Sequence, residues 1–197
     1  MEAEHSFKKA FLISMIVSLS ISALIGIVIF LLGSFGEIQT RILLTTLTIG
    51  GFSLAGLCSA ILYDKNRFVI WGVLGMILSF IGFLVITAII WEIFRLNSVW
   101  EFGLTLIVLS FTFSHTSLLL LINSERRSVK SALVTTLVFI TLVALMILSM
   151  IWEFVHYGQF TVRLFGVFAI LDVLGTIVTP ILHKITSLKR EESLNLS

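Results

Sequence analysis

Trp91-Glu92-Ile93-Phe94 closes one long apolar run, and Trp152-Glu153-Phe154-Val155 closes another 61 residues later. The same step taken backward lands on Phe30-Leu31-Leu32-Gly33, the end of the first apolar run. It carries Ser53 to Ser114, and two such steps carry Arg41 past Phe102 to Arg163. It also carries the polar break Tyr63-Asp64-Lys65-Asn66-Arg67 to Ser124-Glu125-Arg126-Arg127-Ser128. This pattern predicts three tandem helical hairpins, with repeats at approximately 7–67, 68–128 and 129–189.

Composition says what solvent those hairpins need. The 197 residues are 58% hydrophobic and 12% charged, whereas a soluble domain carries about a quarter charged residues. A water-soluble core of this size cannot hide that much apolar surface, so the bilayer is the expected solvent. The net charge of +2 comes from loop residues and marks no basic face, so no nucleic-acid partner is expected. A single cysteine, Cys58, lies within an apolar run, which excludes an intramolecular disulfide and any cysteine-based zinc cluster. One proline and the lack of Gly/Ser-rich tracts argue for one integral membrane domain over 1–197.

Taken in order, Ala10 to Leu32 forms the first run, longer than a signal-peptide core. Ser20-Ile21-Ser22-Ala23 loosely resembles a cleavage site, but apolar sequence continues beyond it, and an uncleaved anchor is expected. Five more runs follow at about Ile38–Tyr63, Phe68–Ile90, Val99–Ile122, Val129–Ile151 and Phe160–His183. Each can cross a hydrocarbon core of about 30 Å as a helix rising 1.5 Å per residue. The breaks between them are short, which makes sequential helices antiparallel neighbours. The fold class is therefore all-α: six transmembrane helices in three hairpins.

Charge sets the expected orientation. Lys8, Lys9, Lys65, Arg67, Arg126, Arg127, Lys130, Lys184, Lys189 and Arg190 fall on one side. Only Arg41, Arg95 and Arg163 fall on the other. The positive-inside rule then places both termini in the cytoplasm, in the cell (cytoplasmic or inner) membrane. Asn195-Leu196-Ser197 matches a glycosylation pattern but faces the wrong compartment on this topology.

Asp172 is the most informative polar residue, because it lies near the middle of the sixth span. An ionised carboxylate there costs roughly 2.5–3.5 kcal/mol on insertion scales. It reads either as a proton or cation site or as a hydrogen-bonded packing residue. His115 in the fourth span is the expected partner, since the repeat maps it onto Thr176, one turn from Asp172. Thr176 and Thr179 share a face with Asp172, and Thr105, Thr112 and Thr116 line one side of the fourth span beside His115. Pro180 removes a backbone donor and frees the Thr176 carbonyl, so a broken last helix is expected there. Together these residues would form a small polar pocket between the fourth and sixth helices.

The recurring Trp-Glu pairs have a simpler account. Trp91, Trp100 and Trp152 fall at the outer interface, where indoles settle among headgroups. Glu92 and Glu153 would pair with Arg41, Arg95 or Arg163 as a structural latch, each exposed pair contributing at most about 1 kcal/mol. Ser14, Ser18, Ser22 and Gly26 form a four-spaced stripe, as do Gly51, Ala55 and Ser59, and Gly75 and Ser79. Small residues at this spacing let helices approach closely in lipid. The bulkier fifth helix would face lipid or another protein.

Motifs for an enzyme fail. Gly51-Phe52-Ser53-Leu54-Ala55-Gly56 misses the nucleophile turn, its second glycine coming one residue late. Asp172 is alone in the bilayer, where an aspartyl mechanism needs two carboxylates. His5, His115, His156 and His183 lack metal-ligand spacing, and no Gly-rich phosphate loop is present, so neither metal nor cofactor is expected. In architecture alone, three tandem two-helix repeats resemble the mitochondrial carriers. Their acidic-basic motif after a proline on the odd helices is absent, and the resemblance carries over no residue.

Two functional classes remain. The expected one is an accessory, assembly or sensing subunit that works through lateral contacts with another membrane protein or with its own copies. The alternative is a small proton- or ion-coupled transporter or channel using Asp172 and His115 at a repeat interface.

Overall fold

The computed structural model describes residues 12–13, 16–28, 36–66, 68–93, 98–122, 126–154 and 158–195, the stretch 186–195 as backbone. Lys8, Lys9, Ser14, Arg67 and Arg95 lie outside the described residues, as do His5, His156 and the turn at Gly33-Ser34-Phe35.

Among the described residues the chain is entirely helical. Six helices follow in order: α1 (Ile16–Val28), α2 (Glu37–Asp64), α3 (Val69–Ile90), α4 (Val99–Leu120), α5 (Arg127–Ile151) and α6 (Gln159–Asn195). α2 to α6 are each long and apolar enough to cross a membrane, while α1 is described over a shorter apolar stretch. Helix is the form that satisfies backbone groups within one segment in lipid. The hydroxyls follow the same logic, with Thr45 donating to the Arg41 carbonyl at 2.7 Å and Thr48 to the Leu44 carbonyl at 2.7 Å.

The chain packs as two compact units, Met1–Ser117 and Leu118–Ser197. In the first, small residues let the helices meet. Ser22 Oγ on α1 donates to Thr46 Oγ1 on α2 at 2.6 Å, and Gly50 receives Ser18 and Leu19. A Cβ at Gly75 would strike Ser59, and one at Gly82 would strike the Phe52 ring, so α2 and α3 approach too closely for larger residues. Gly103 of α4 sits against Ile86 and Ile89 of α3. Trp71 stacks on Phe113 with ring centroids 4.3 Å apart, and Ser110 Oγ donates to the Leu78 carbonyl at 3.3 Å. Of the predicted stripes, Ser18, Ser22, Ser59 and Gly75 stand at these contacts, nothing lies within 4 Å of a Cβ at Gly26, and Gly50, Gly82 and Gly103 are close-approach points outside the stripes.

The second unit is built on the α5–α6 pair. Val129, Thr136, Ile140 and Ala144 are the buried residues of α5, a four-residue spacing from Thr136 onward that makes one face. Thr136 Oγ1 and Thr179 Oγ1 are 3.2 Å apart across the helices. A Cβ at Gly175 would collide with Thr136, so glycine sets the crossing distance. Farther toward the start of α6, the Phe139 and Phe168 rings meet with centroids 6.0 Å apart.

Two expectations need correction. The last helix is not broken at Pro180, since α6 runs for 37 residues with Pro180 inside it. Pro180 is exposed. In lipid, one lost bond does not justify giving up the others, and proline is tolerated there. α6 also extends beyond His183 to Asn195. At 1.5 Å per residue its length is about 55 Å, well past a hydrocarbon core of about 30 Å.

Candidate functional site

The Trp-Glu pairs end their helices in one specific way. Trp91 N–H donates to the Thr87 carbonyl at 3.1 Å, Glu92 N–H to Ile89 at 3.0 Å, and Ile93 N–H to Ala88 at 3.0 Å. At the end of α5, Trp152 N–H donates to Leu148 at 3.1 Å, Glu153 N–H to Met150 at 3.3 Å, and Phe154 N–H to Ser149 at 3.1 Å. Every donor and acceptor in the second set is 61 residues on from its counterpart in the first. These are Schellman caps, which satisfy the last carbonyls by turning one residue left-handed. That residue is usually glycine, yet here it is Glu92 with φ 52° and Glu153 with φ 51°. An L-residue in this conformation costs roughly 1–2 kcal/mol.

In the first cap both side chains are engaged. Trp91 Nε1 donates to Thr45 Oγ1 at 3.2 Å. Arg41 Nη2 donates to Glu92 Oε1 at 2.6 Å and to Glu37 Oε1 at 2.6 Å. The end of α3 is thereby tied to the first three turns of α2. The second cap differs in its carboxylate. Trp152 and Phe154 stack with centroids 6.4 Å apart. Glu153 between them is exposed, and among the described residues no ion pair includes it or Arg163.

The intramembrane residues fall into two groups. Asp172, Thr176 and Thr179 lie on α6, in the second unit, and Thr112, His115 and Thr116 on α4, in the first. On α6, Thr176 Oγ1 donates to the Asp172 carbonyl at 2.8 Å and stands 3.5 Å from Asp172 Oδ1. Asp172 is half-buried, on the stripe that also holds Phe168, Gly175 and Thr179. Thr179 is fully buried against Thr136 of α5, a residue the sequence reading passed over. The available signal was its place one repeat on from Gly75, at the helix crossing.

On α4 the buried side holds Gly103, Ser110, Ser114 and Ser117. At 100° per residue, Thr105, Thr112, His115 and Thr116 occupy the other side of the helix and are half-buried. Ser110 donates its hydroxyl to a carbonyl of α3, so the serine side of α4 is the side that meets that helix. Among the described residues, no three His, Cys, Asp or Glu side chains converge as metal ligands would.

No family model, curated protein or solved structure matches the chain.

Proposed function

We propose that this protein is an accessory, assembly or sensing subunit of a membrane complex, acting through lateral contacts of its helices with another membrane protein. The observation that carries the reading is the bareness of α6. Its membrane-length window is 6% buried, against 44% for α2, although its mean hydropathy is 2.1. Val167, Ile170, Val173, Leu174, Ile177 and Ile181 make an exposed apolar side of the helix, and lateral association in lipid needs such faces.

The reading includes the topology. Six spans form three hairpins related by the 61-residue step, with both termini in the cytoplasm and the Trp-Glu caps on the outer side of the cell membrane. The two matching caps support the repeat, and the ten-to-three distribution of Lys and Arg supports the orientation.

The test is purification of the full chain from its native membrane in a gentle detergent, with the mass and composition of the particle measured directly. A stoichiometric second protein is expected. A particle containing this chain alone would overturn the reading. Ion flux in vesicles that Asp172→Asn abolishes would replace it with transport.

A further inference from the structure

We infer that a second copy of this chain lays its α6 along the exposed face of α5, with Arg163 of one copy paired to Glu153 of the other. The inference rests on the exposed helix faces of the lateral-contact reading and adds a second copy of this chain as the occupant of one of them. Three observations carry it. First, the cap at Glu92 shows what such a carboxylate does: it accepts from Arg41, the fifth residue of α2, at 2.6 Å. Arg163 is the fifth residue of α6, in the same place relative to its helix start. Arg41 has Glu37 one turn before it, whereas Arg163 has the neutral Gln159. The residue one step on from Arg41, where Glu153 would find its cation, is Phe102. The chain thus holds a strained carboxylate and an arginine that are two halves of a pair, both exposed and both without an ion pair among the described residues.

Second, the surface of α6 that continues from Arg163 is a regular row. Arg163, Val167, Ile170, Leu174, Ile177 and Ile181 follow one another at steps of four and three along α6, all exposed. Steps of four and three keep a side-chain row facing one partner helix. Third, α5 offers a place for such a row. Val134, Leu137, Val138, Thr141 and Leu142 line a shallow depression of about 300 Å³ on its surface. Its apolar lining accepts an aliphatic row, and Thr141 already donates its hydroxyl to the Leu137 carbonyl at 2.9 Å.

Direction and depth agree. Glu153 follows the C-terminal end of α5, and Arg163 lies in the second turn of α6. Copies sharing one bilayer orientation hold these ends at the same level. α6 of one copy then runs antiparallel to α5 of the next, with the ion pair at the outer interface and the aliphatic row in the hydrocarbon core.

The experiment uses full-length chains carrying two different tags, co-expressed, purified in gentle detergent and scored for recovery of the second tag. Glu153→Arg or Arg163→Glu in both copies should lower recovery about tenfold, because like charges then face each other. The double variant Glu153→Arg/Arg163→Glu should restore it, as should Glu153→Arg co-expressed with Arg163→Glu. Both residues are exposed, so thermal melting of each single variant should match the unaltered chain under dissociating detergent. No recovery of a second tagged copy from the unaltered chain overturns the inference. So does a double variant no better than either single one. A drop with Arg163→Glu alone, unmatched by Glu153→Arg, would assign Arg163 to lipid phosphate and would also overturn it. A second protein without a second copy leaves the lateral-contact reading standing, and a second copy without another protein does the reverse.

Discussion

Glu92 and Glu153 hold the same left-handed backbone conformation, at φ 52° and 51°, in caps whose three hydrogen bonds match donor for donor. Glycine would take this conformation freely, while any residue with a Cβ is strained in it. Alanine and glycine variants both remove the carboxylate, so their difference isolates the backbone. Glu92→Gly should therefore be more stable than Glu92→Ala by about 1 kcal/mol, and Glu153→Gly should exceed Glu153→Ala by about the same. Thermal or denaturant melting in one detergent measures both pairs. Equal stability of Gly and Ala at either site would show that the left-handed turn is not retained there.

The Arg41–Glu92 contact joins α2 to α3 at an exposed site, since the Glu92 side chain is 60% accessible. Its expected contribution is small. A double-mutant cycle with Arg41→Gln and Glu92→Gln should give a coupling energy of about 0.2–1 kcal/mol. Screening should reduce it when salt is raised from about 0.01 M to about 1 M, where the Debye length falls from about 30 Å to about 3 Å. A coupling that does not change with salt would mean that the pair is shielded from water.

At the α5–α6 crossing the steric term should exceed the polar one. Gly175→Leu forces a side chain into Thr136, which has no room to yield at 1% exposure. Overpacking of this kind costs about 1–3 kcal/mol. Thr136→Ala removes one interhelical hydroxyl contact, for which measured values in membrane proteins average about 0.6 kcal/mol. Gly166→Ala is the control, because nothing lies within 4 Å of its Cβ. It should be neutral or stabilising by up to about 1 kcal/mol from helix propensity. Reversal of that order in melting experiments would mean that the crossing point has been misplaced.

Much of the fold was legible because apolar run length is a direct readout of bilayer thickness. The run Phe68–Ile90 became α3 at Val69–Ile90, and Val129–Ile151 became α5 at Arg127–Ile151. Where run and helix diverge, the reason is physical: apolarity marks the lipid, not the helix. α6 therefore continues through the charged residues after His183, although the apolar pattern stops there. The caps were visible as a recurring Trp-Glu pair, but their left-handed turn was not. Glu is an unusual residue for that conformation, and no sequence rule places it there. The intramembrane residues were found by their rarity in lipid, yet rarity says nothing about direction. Thr179 was grouped with Asp172 by helical spacing, and its hydroxyl contact instead reaches Thr136 on α5. Helical periodicity fixes which residues share a face, while the neighbour that face meets depends on the crossing at Gly175.

The proposed orientation makes an experiment with a built-in control possible. Cys58 is the only cysteine and is 6% exposed, so the unaltered chain should react little with a membrane-impermeant maleimide. Gln39 is exposed in the first turn of α2, and Lys65 is exposed at the other end of that helix. With both termini in the cytoplasm, Gln39→Cys should label in intact cells, and Lys65→Cys only after the membrane is opened. The 28 residues of α2 span about 42 Å at 1.5 Å per residue, enough to separate the two sites across a hydrocarbon core of about 30 Å. The opposite labelling pattern would invert the topology and move the Trp-Glu caps to the cytoplasmic face. Labelling of both sites in intact cells would show that α2 does not cross the membrane.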